Sequence, residues 1–134
     1  MTRTQVASAL QSSLGPAETI DDAQGCAIVT APKQPGMYFR FDRSILEAIT
    51  IVAPSRISTL KHVGIGSSAF ALHRAYGSML RGHPKYDYAP GGREDLVYWP
   101  KSGGRGVRFM VGQDRRVEAI IAGTETIFLV DGCE

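Results

Sequence analysis

At 134 residues the chain has the length of one domain and enough residues to bury a core. Hydrophobic residues make up 43% and charged residues 21%, a composition that excludes a disordered chain. A formal charge of +2, from 15 basic and 13 acidic residues, lacks the dense basic face that nucleic acid requires, and no apolar run approaches the ~20 residues of a membrane-spanning helix.

The first element expected is a helix opened by Thr2 as N-cap, with Val6, Leu10 and Leu14 as its apolar stripe and Gly15-Pro16 as its end. Cys26 to Thr30 reads as a short strand. Met37, Phe39 and Phe41 then alternate with Tyr38 and Arg40, the period of a strand with one buried face. A turn at Asp42-Arg43-Ser44 leads into a strand over Ile45 to Val52. Leu60 to Val63 reads as a short strand before a second helix, capped by Ser68 and striped by Phe70, Leu72, Ala75, Tyr76 and Met79, with Gly77 ending it. Strands follow at Asp95 to Trp99, Val107 to Val111, Arg116 to Ala122 and Ile127 to Val130, joined by turns at Ser102 to Gly106 and Gly112 to Asp114. Short turns between consecutive strands imply antiparallel hairpins. Asp114 and Glu118 sit among Arg105, Arg108, Arg115 and Arg116, which reads as a solvated strand pair and its turn, a phosphate site being the alternative.

Two stretches of the chain match each other. GMYFRFDRSILEAI, from Gly36 to Ile49, lies over GVRFMVGQDRRVEAI, from Gly106 to Ile120, with Phe39 on Phe109 and Glu47-Ala48-Ile49 on Glu118-Ala119-Ile120. Upstream, Met1 to Leu10 lies over Ser67 to Tyr76, with Val6 on Leu72 and Leu10 on Tyr76. The expected fold is α+β: one domain over 1–134, built from repeats at about 1–55 and 56–134. Each repeat is a helix followed by an antiparallel meander, and the two form one sheet with both helices on one face.

A helix plus a meander, duplicated in tandem, resembles the β-lactamase inhibitory protein architecture, and a single unit resembles the small outer-membrane assembly lipoproteins of the SmpA/OmlA type. The residues that carry this are Met1-Thr2 with the helix Thr4 to Leu10, Gly64-Ile65-Gly66 before the second helix, and the paired Phe and Glu-Ala-Ile strands. VGIGSSAFALHRAYG, KYDYAPGG, VEAIIAG and the terminal DGC are similar to segments of a group of uncharacterised exported bacterial proteins. The resemblance implies a periplasmic or cell-envelope protein with a leader and a short strand upstream of Met1, where a lipid anchor would also have its place. The sequence in hand has no leader of its own, which taken alone says cytoplasm.

Cys26 and Cys133 lack the close spacing of a zinc site. At strand ends of an exported protein they are expected to form a disulfide, free thiols being the alternative. His62, His73 and His83 contain no chelating pair, and the adjacent acids Asp21-Asp22 and Glu94-Asp95 fan apart as sequence neighbours do. No metal, no cofactor and no catalytic constellation is expected, so the chain reads as a binding protein and not an enzyme. Gly64 to Ala69 fits G-x-G-x-x-A and opens a helix, which leaves a nucleotide or small-ligand binder as an alternative.

Strand alternation directs Tyr38, Arg40, Arg108 and Met110 away from the helices, and Tyr86, Tyr88 and Trp99 add aromatics nearby. Tyr, Trp, Met and Arg are enriched at interface hot spots. These seven residues form the candidate protein-binding face of an inhibitor or scaffold, a structural envelope or assembly factor being the other reading. The identity of the protein partner is open.

Overall fold

The computed structural model describes residues 1–21, 25–82, 93–129 and 133. Two helices and eight strands are present among them: α1 (Arg3–Leu10), β1 (Ala17–Asp21), β2 (Cys26–Thr30), β3 (Met37–Asp42), β4 (Ile45–Val52), α2 (Ala69–Tyr76), β5 (Leu80–Gly82), β6 (Glu94–Tyr98), β7 (Gly106–Val111) and β8 (Val117–Gly123). The strands form one antiparallel sheet in the order β1-β2-β3-β4-β8-β7-β6-β5. The order is mirrored about the β4–β8 pair, and each half has one helix. No helix of the described residues is long and apolar enough to cross a membrane.

Register determines which side chains share a face. Paired residues of an antiparallel ladder point the same way. Met37 pairs with Ile51, Ile51 with Ile120, and Ile120 with Phe109. The next row on that face is Phe39, Ile49, Ala122, Val107 and Tyr98. Val6 of α1 packs with Val29, Met37, Phe39 and Phe41, and Leu72 and Tyr76 of α2 pack with Ile51, Phe109, Val111 and Ile120. Both helices therefore cover one face, as two adjoining cores. Phe39 and Phe109 are 1% and 0% exposed at matching places in the two halves. The hairpins match in a finer detail as well. A bulge leaves Glu47 unpaired between Leu46 and Ala48, and another leaves Glu118 unpaired between Val117 and Ala119.

The helix starts follow the expected chemistry. The Thr2 hydroxyl accepts from the Gln5 amide at 3.3 Å while Gln5 Oε1 accepts from the Thr2 amide at 2.8 Å, a reciprocal capping box. Ser68 accepts from the Ala71 amide at 3.0 Å. The ends differ. Helix α1 stops at Leu10, with Gln11 in the left-handed region, because the chain must turn back for Gly15 N–H to reach the Thr30 carbonyl at 2.8 Å. Phe70 is 75% exposed rather than part of the α2 stripe. Ala69, Leu72 and Tyr76 face the core, and Phe70 lies about 100° round the helix from Ala69.

Three strand expectations need correction. Strands β1 and β5 were not expected. Leu60 to Val63 forms no strand, and only a single bridge joins Ser58 to Gly64 there. The expected last strand is instead a 3-10 turn, Glu125–Phe128, capped by the Thr124 hydroxyl. That turn lies across β4, β8 and β7 on the face away from the helices. Strand β8 and its neighbours β4 and β7 each have partners on both sides, so the segment that follows β8 meets no open edge beside it.

Cys26, at the start of β2, is bonded to Cys133, with Cα atoms 5.6 Å apart. The bond spans 107 residues and ties the end of the chain to the first half of the sheet. Closing so long a loop restricts the unfolded chain, and removing the bond is expected to cost about 2–4 kcal/mol. Unfolding of the Cys26→Ser/Cys133→Ser variant in denaturant should show that loss as a lower midpoint. Thiol counting on denatured, unreduced protein should find no free thiol.

Candidate binding site on the sheet face away from the helices

Residues on the second face follow from the same pairing. Tyr38, Thr50, Ile121, Arg108, Val97 and Arg81 form one row across the sheet. Arg40, Ala48, Gly123 and Gly106 form another. Tyr38, Arg40, Met110 and Trp99 are half-buried. Tyr38 and Arg108 are three strands apart, about 14 Å at the usual strand spacing. Thr50 and Ile121 stand between them in the same row. Tyr86, Tyr88 and His83 lie outside the described residues.

Arg108 is not at the surface. It is 4% exposed, and all three of its nitrogens are engaged. Nε donates to Asp95 Oδ1 at 2.8 Å and Oδ2 at 3.0 Å, and Nη2 donates to Oδ2 at 2.5 Å. Nη1 donates to the carbonyls of Ile127 at 3.0 Å and Leu129 at 2.9 Å. Asp95 is opposite Met110, so it stands diagonal to Arg108 on the same face, within reach of a long side chain. Strand alternation placed Arg108 on this face, but a period-two pattern cannot reveal that a later segment covers it.

The covering turn creates a site that was not foreseen. Arg108 holds the carbonyls on either side of Phe128, and Phe128 packs against Trp99 with ring centroids 5.4 Å apart. Trp99 in turn lies over Gly106, where a Cβ would meet the indole ring and the Tyr98 carbonyl. Gly123 is equally confined, since a Cβ there would meet the Glu47 carbonyl. The turn is also tied to the Glu47 bulge: Thr124 Oγ1 donates to Glu47 Oε2 at 2.6 Å, and Thr124 N–H donates to the Glu47 carbonyl at 3.0 Å.

Beside the aromatic pair is a hollow of about 440 Å³ lined by Arg81, Gly82, Val97, Trp99, Lys101 and Phe128. Arg81 and Lys101 are exposed and meet no carboxylate among the described residues. The hollow thus offers two aromatic walls and two cations, which suits an apolar group carried next to an acidic one. Of its residues only Trp99 was a candidate from sequence. Phe128 was hidden by its expected place in a strand, and Arg81 by the brevity of β5.

Four amides of the Gly64–Ala69 turn are spent on partners within the protein. Gly64 N–H donates to Ser67 Oγ at 2.9 Å, and Gly66 N–H donates to the Val117 carbonyl at 2.8 Å. Ser67 N–H reaches the Gly64 carbonyl at 3.1 Å, and Ala69 N–H reaches that of Arg115 at 2.8 Å. These bonds dock the start of α2 onto β8, and every strand pair in the sheet is antiparallel. Glu94 and Asp95 serve different partners: Glu94 lies 3.0 Å from Arg115 and 3.5 Å from His73, while Asp95 holds Arg108. No cluster of three metal-ligating side chains occurs among the described residues.

Replacing Arg108 with Ala should destabilise the protein by about 3–5 kcal/mol, because it leaves the buried Asp95 carboxylate without its charge partner. Chemical denaturation measures the loss. The indole fluorescence of Trp99 should also shift, since Phe128 is no longer held against it.

No family model matches the chain, and no curated protein sequence matches it. Among solved structures, it is similar to a cysteine-rich secretory protein from Staphylococcus aureus subsp. aureus Mu50, with a TM-score of 0.53 and 10% sequence identity. The match covers 94% of this chain and 44% of the staphylococcal one, so the chain spans less than half the length of that protein. At that identity the likeness is one of fold alone.

Proposed function

We propose that this chain is an exported, non-enzymatic binding module that holds a protein partner on the sheet face away from the helices. The observation that carries the reading is the hollow formed by Trp99, Phe128, Arg81 and Lys101. Aromatic and arginine side chains around a pocket are where interface energy concentrates. A partner that inserts an apolar side chain flanked by a carboxylate would fill the hollow and meet both cations. Arg108 belongs to this reading as a positioning residue, since it fixes the turn that carries Phe128. Tyr38 and Arg40 stay as outlying contacts on β3.

The disulfide supports residence in an oxidising compartment, and the periplasm or cell envelope is our assignment. The mirrored strand order and the matching bulges at Glu47 and Glu118 support descent from a duplicated helix-and-meander unit, as in inhibitor-like proteins. Fold does not establish function, so the test must be made at the site.

Capture from a cell-envelope extract, followed by titration calorimetry with the captured protein, tests the proposal. Trp99→Ala and Lys101→Glu should each keep the melting behaviour of a folded protein. Trp99→Ala should weaken binding by about 2 kcal/mol or more, roughly thirtyfold. A partner bound equally well by both variants would remove this face from consideration.

A further inference from the structure

The helix side of the sheet carries a second hollow, separate from the one assigned to a protein partner. Each helix is eight residues long, or about 12 Å, while eight strands span about 34 Å. The helices cannot cover that width, and a groove of about 460 Å³ remains over the centre of the sheet. Ile51, Ile120, Val107 and Ala122 form its floor, Tyr76 and Tyr98 one wall, and the loop Ser58 to Lys61 the other.

Two features of the rim indicate what would fill it. Leu60 is 100% exposed at the edge of an apolar groove, where burial against an apolar chain would favour a leucine. Lys61, next to it, supplies the one charge of the lining. Its ammonium sits 5.3 Å from the centroid of the Tyr76 ring and donates to the Ala75 carbonyl at 3.3 Å. No carboxylate among the described residues pairs with it. An apolar floor with one unneutralised cation at its mouth complements a molecule with an apolar chain and a single negative head. The volume lies in the range of small-molecule sites.

We infer that this groove binds an amphipathic carboxylate of the fatty-acid class, chain on Ile51, Ile120 and Val107, head group at Lys61. The ligand enters between the Ser58–Lys61 loop and α2, and Leu60 packs on the chain once it is bound. This site is independent of the protein-binding reading, being on the other face of the sheet.

Titrating laurate, below its micelle concentration, into the full chain labelled at isoleucine and valine methyl groups tests the inference. Saturable one-to-one shifts are expected at Ile51, Ile120 and Val107, with Val6 and Val29 of the other core unmoved. Lys61 is exposed, so Lys61→Met leaves the core intact. It should weaken laurate by about fivefold, the scale of one partly exposed ion pair, and leave dodecanol binding unchanged. Absence of saturable shifts in the wild-type protein overturns the inference, as do shifts centred on residues outside the groove. An equal effect of Lys61→Met on laurate and dodecanol overturns the role given to the head group.

Discussion

The side chain of Arg108 ties the paired strands β6 and β7 to a segment that has no strand pairing with either. It stands on β7, takes its counter-charge from β6, and spends its remaining nitrogen on two carbonyls of the segment that follows β8. A guanidinium suits this because its donors lie in one rigid plane, so that satisfying a carboxylate along one edge aims the rest in a fixed direction. The pair is almost dry, with side chains 5% and 10% exposed. Such a pair is weak evidence for net stability, since two desolvated charges recover little more than they lose. Its consequence is specificity. The Ile127 and Leu129 carbonyls have one place to go, and Phe128 between them is delivered to Trp99.

The disulfide acts on the same segment from its far end. Cys133 is anchored to β2, at the opposite side of the sheet from β6. The crossing segment is therefore fixed at Thr124 by the Glu47 bulge, in the middle by Arg108, and at Cys133 by a covalent bond. Between these points Ile127 is buried to 1% exposure, which gives the second face a small apolar layer of its own. Gly106 and Gly123, paired with each other across β7 and β8, carry no side chain where Trp99 and the Glu47 carbonyl approach them.

Much of this architecture is legible from local chemistry. Strands β2 and β4 are readable to the residue, and β3, β7 and β8 to within a residue, because alternation over five or more positions leaves one reading. Thr2 and Ser68 are legible as caps through their hydroxyls, whereas the cysteine pairing was expected from two strand ends of which only that of Cys26 exists. Strand β1, Ala-Glu-Thr-Ile-Asp, is not legible, since two acids in five residues leave it little strand propensity to mark it. Strand β5 has only three residues. The candidate site was the least legible part. Its geometry depends on a segment crossing a face, and crossings are tertiary events with no period. Thr-Ile-Phe-Leu is rich in β-branched and aromatic residues, yet β8 before it and the neighbouring β4 and β7 are each paired on both sides.

The two halves of the sheet show why the crossing occurs where it does. Under the proposed duplication Phe39 corresponds to Phe109, which sets Tyr38 against Arg108 and Arg40 against Met110. The helix-facing members of the two rows stay apolar, while the others have diverged. The difference follows what comes after each fourth strand. After β4 the chain turns to the helix side, where Ser58 to Lys61 wall the groove beside Tyr76. After β8 it turns to the other side and lies over Arg108. A strand face left uncovered by its own successor can keep a half-exposed tyrosine. One that is covered by backbone carbonyls needs buried donors to satisfy them, and an arginine with a carboxylate beside it supplies those donors. The asymmetry between Tyr38 and Arg108 thus follows from the direction in which two equivalent strands release the chain.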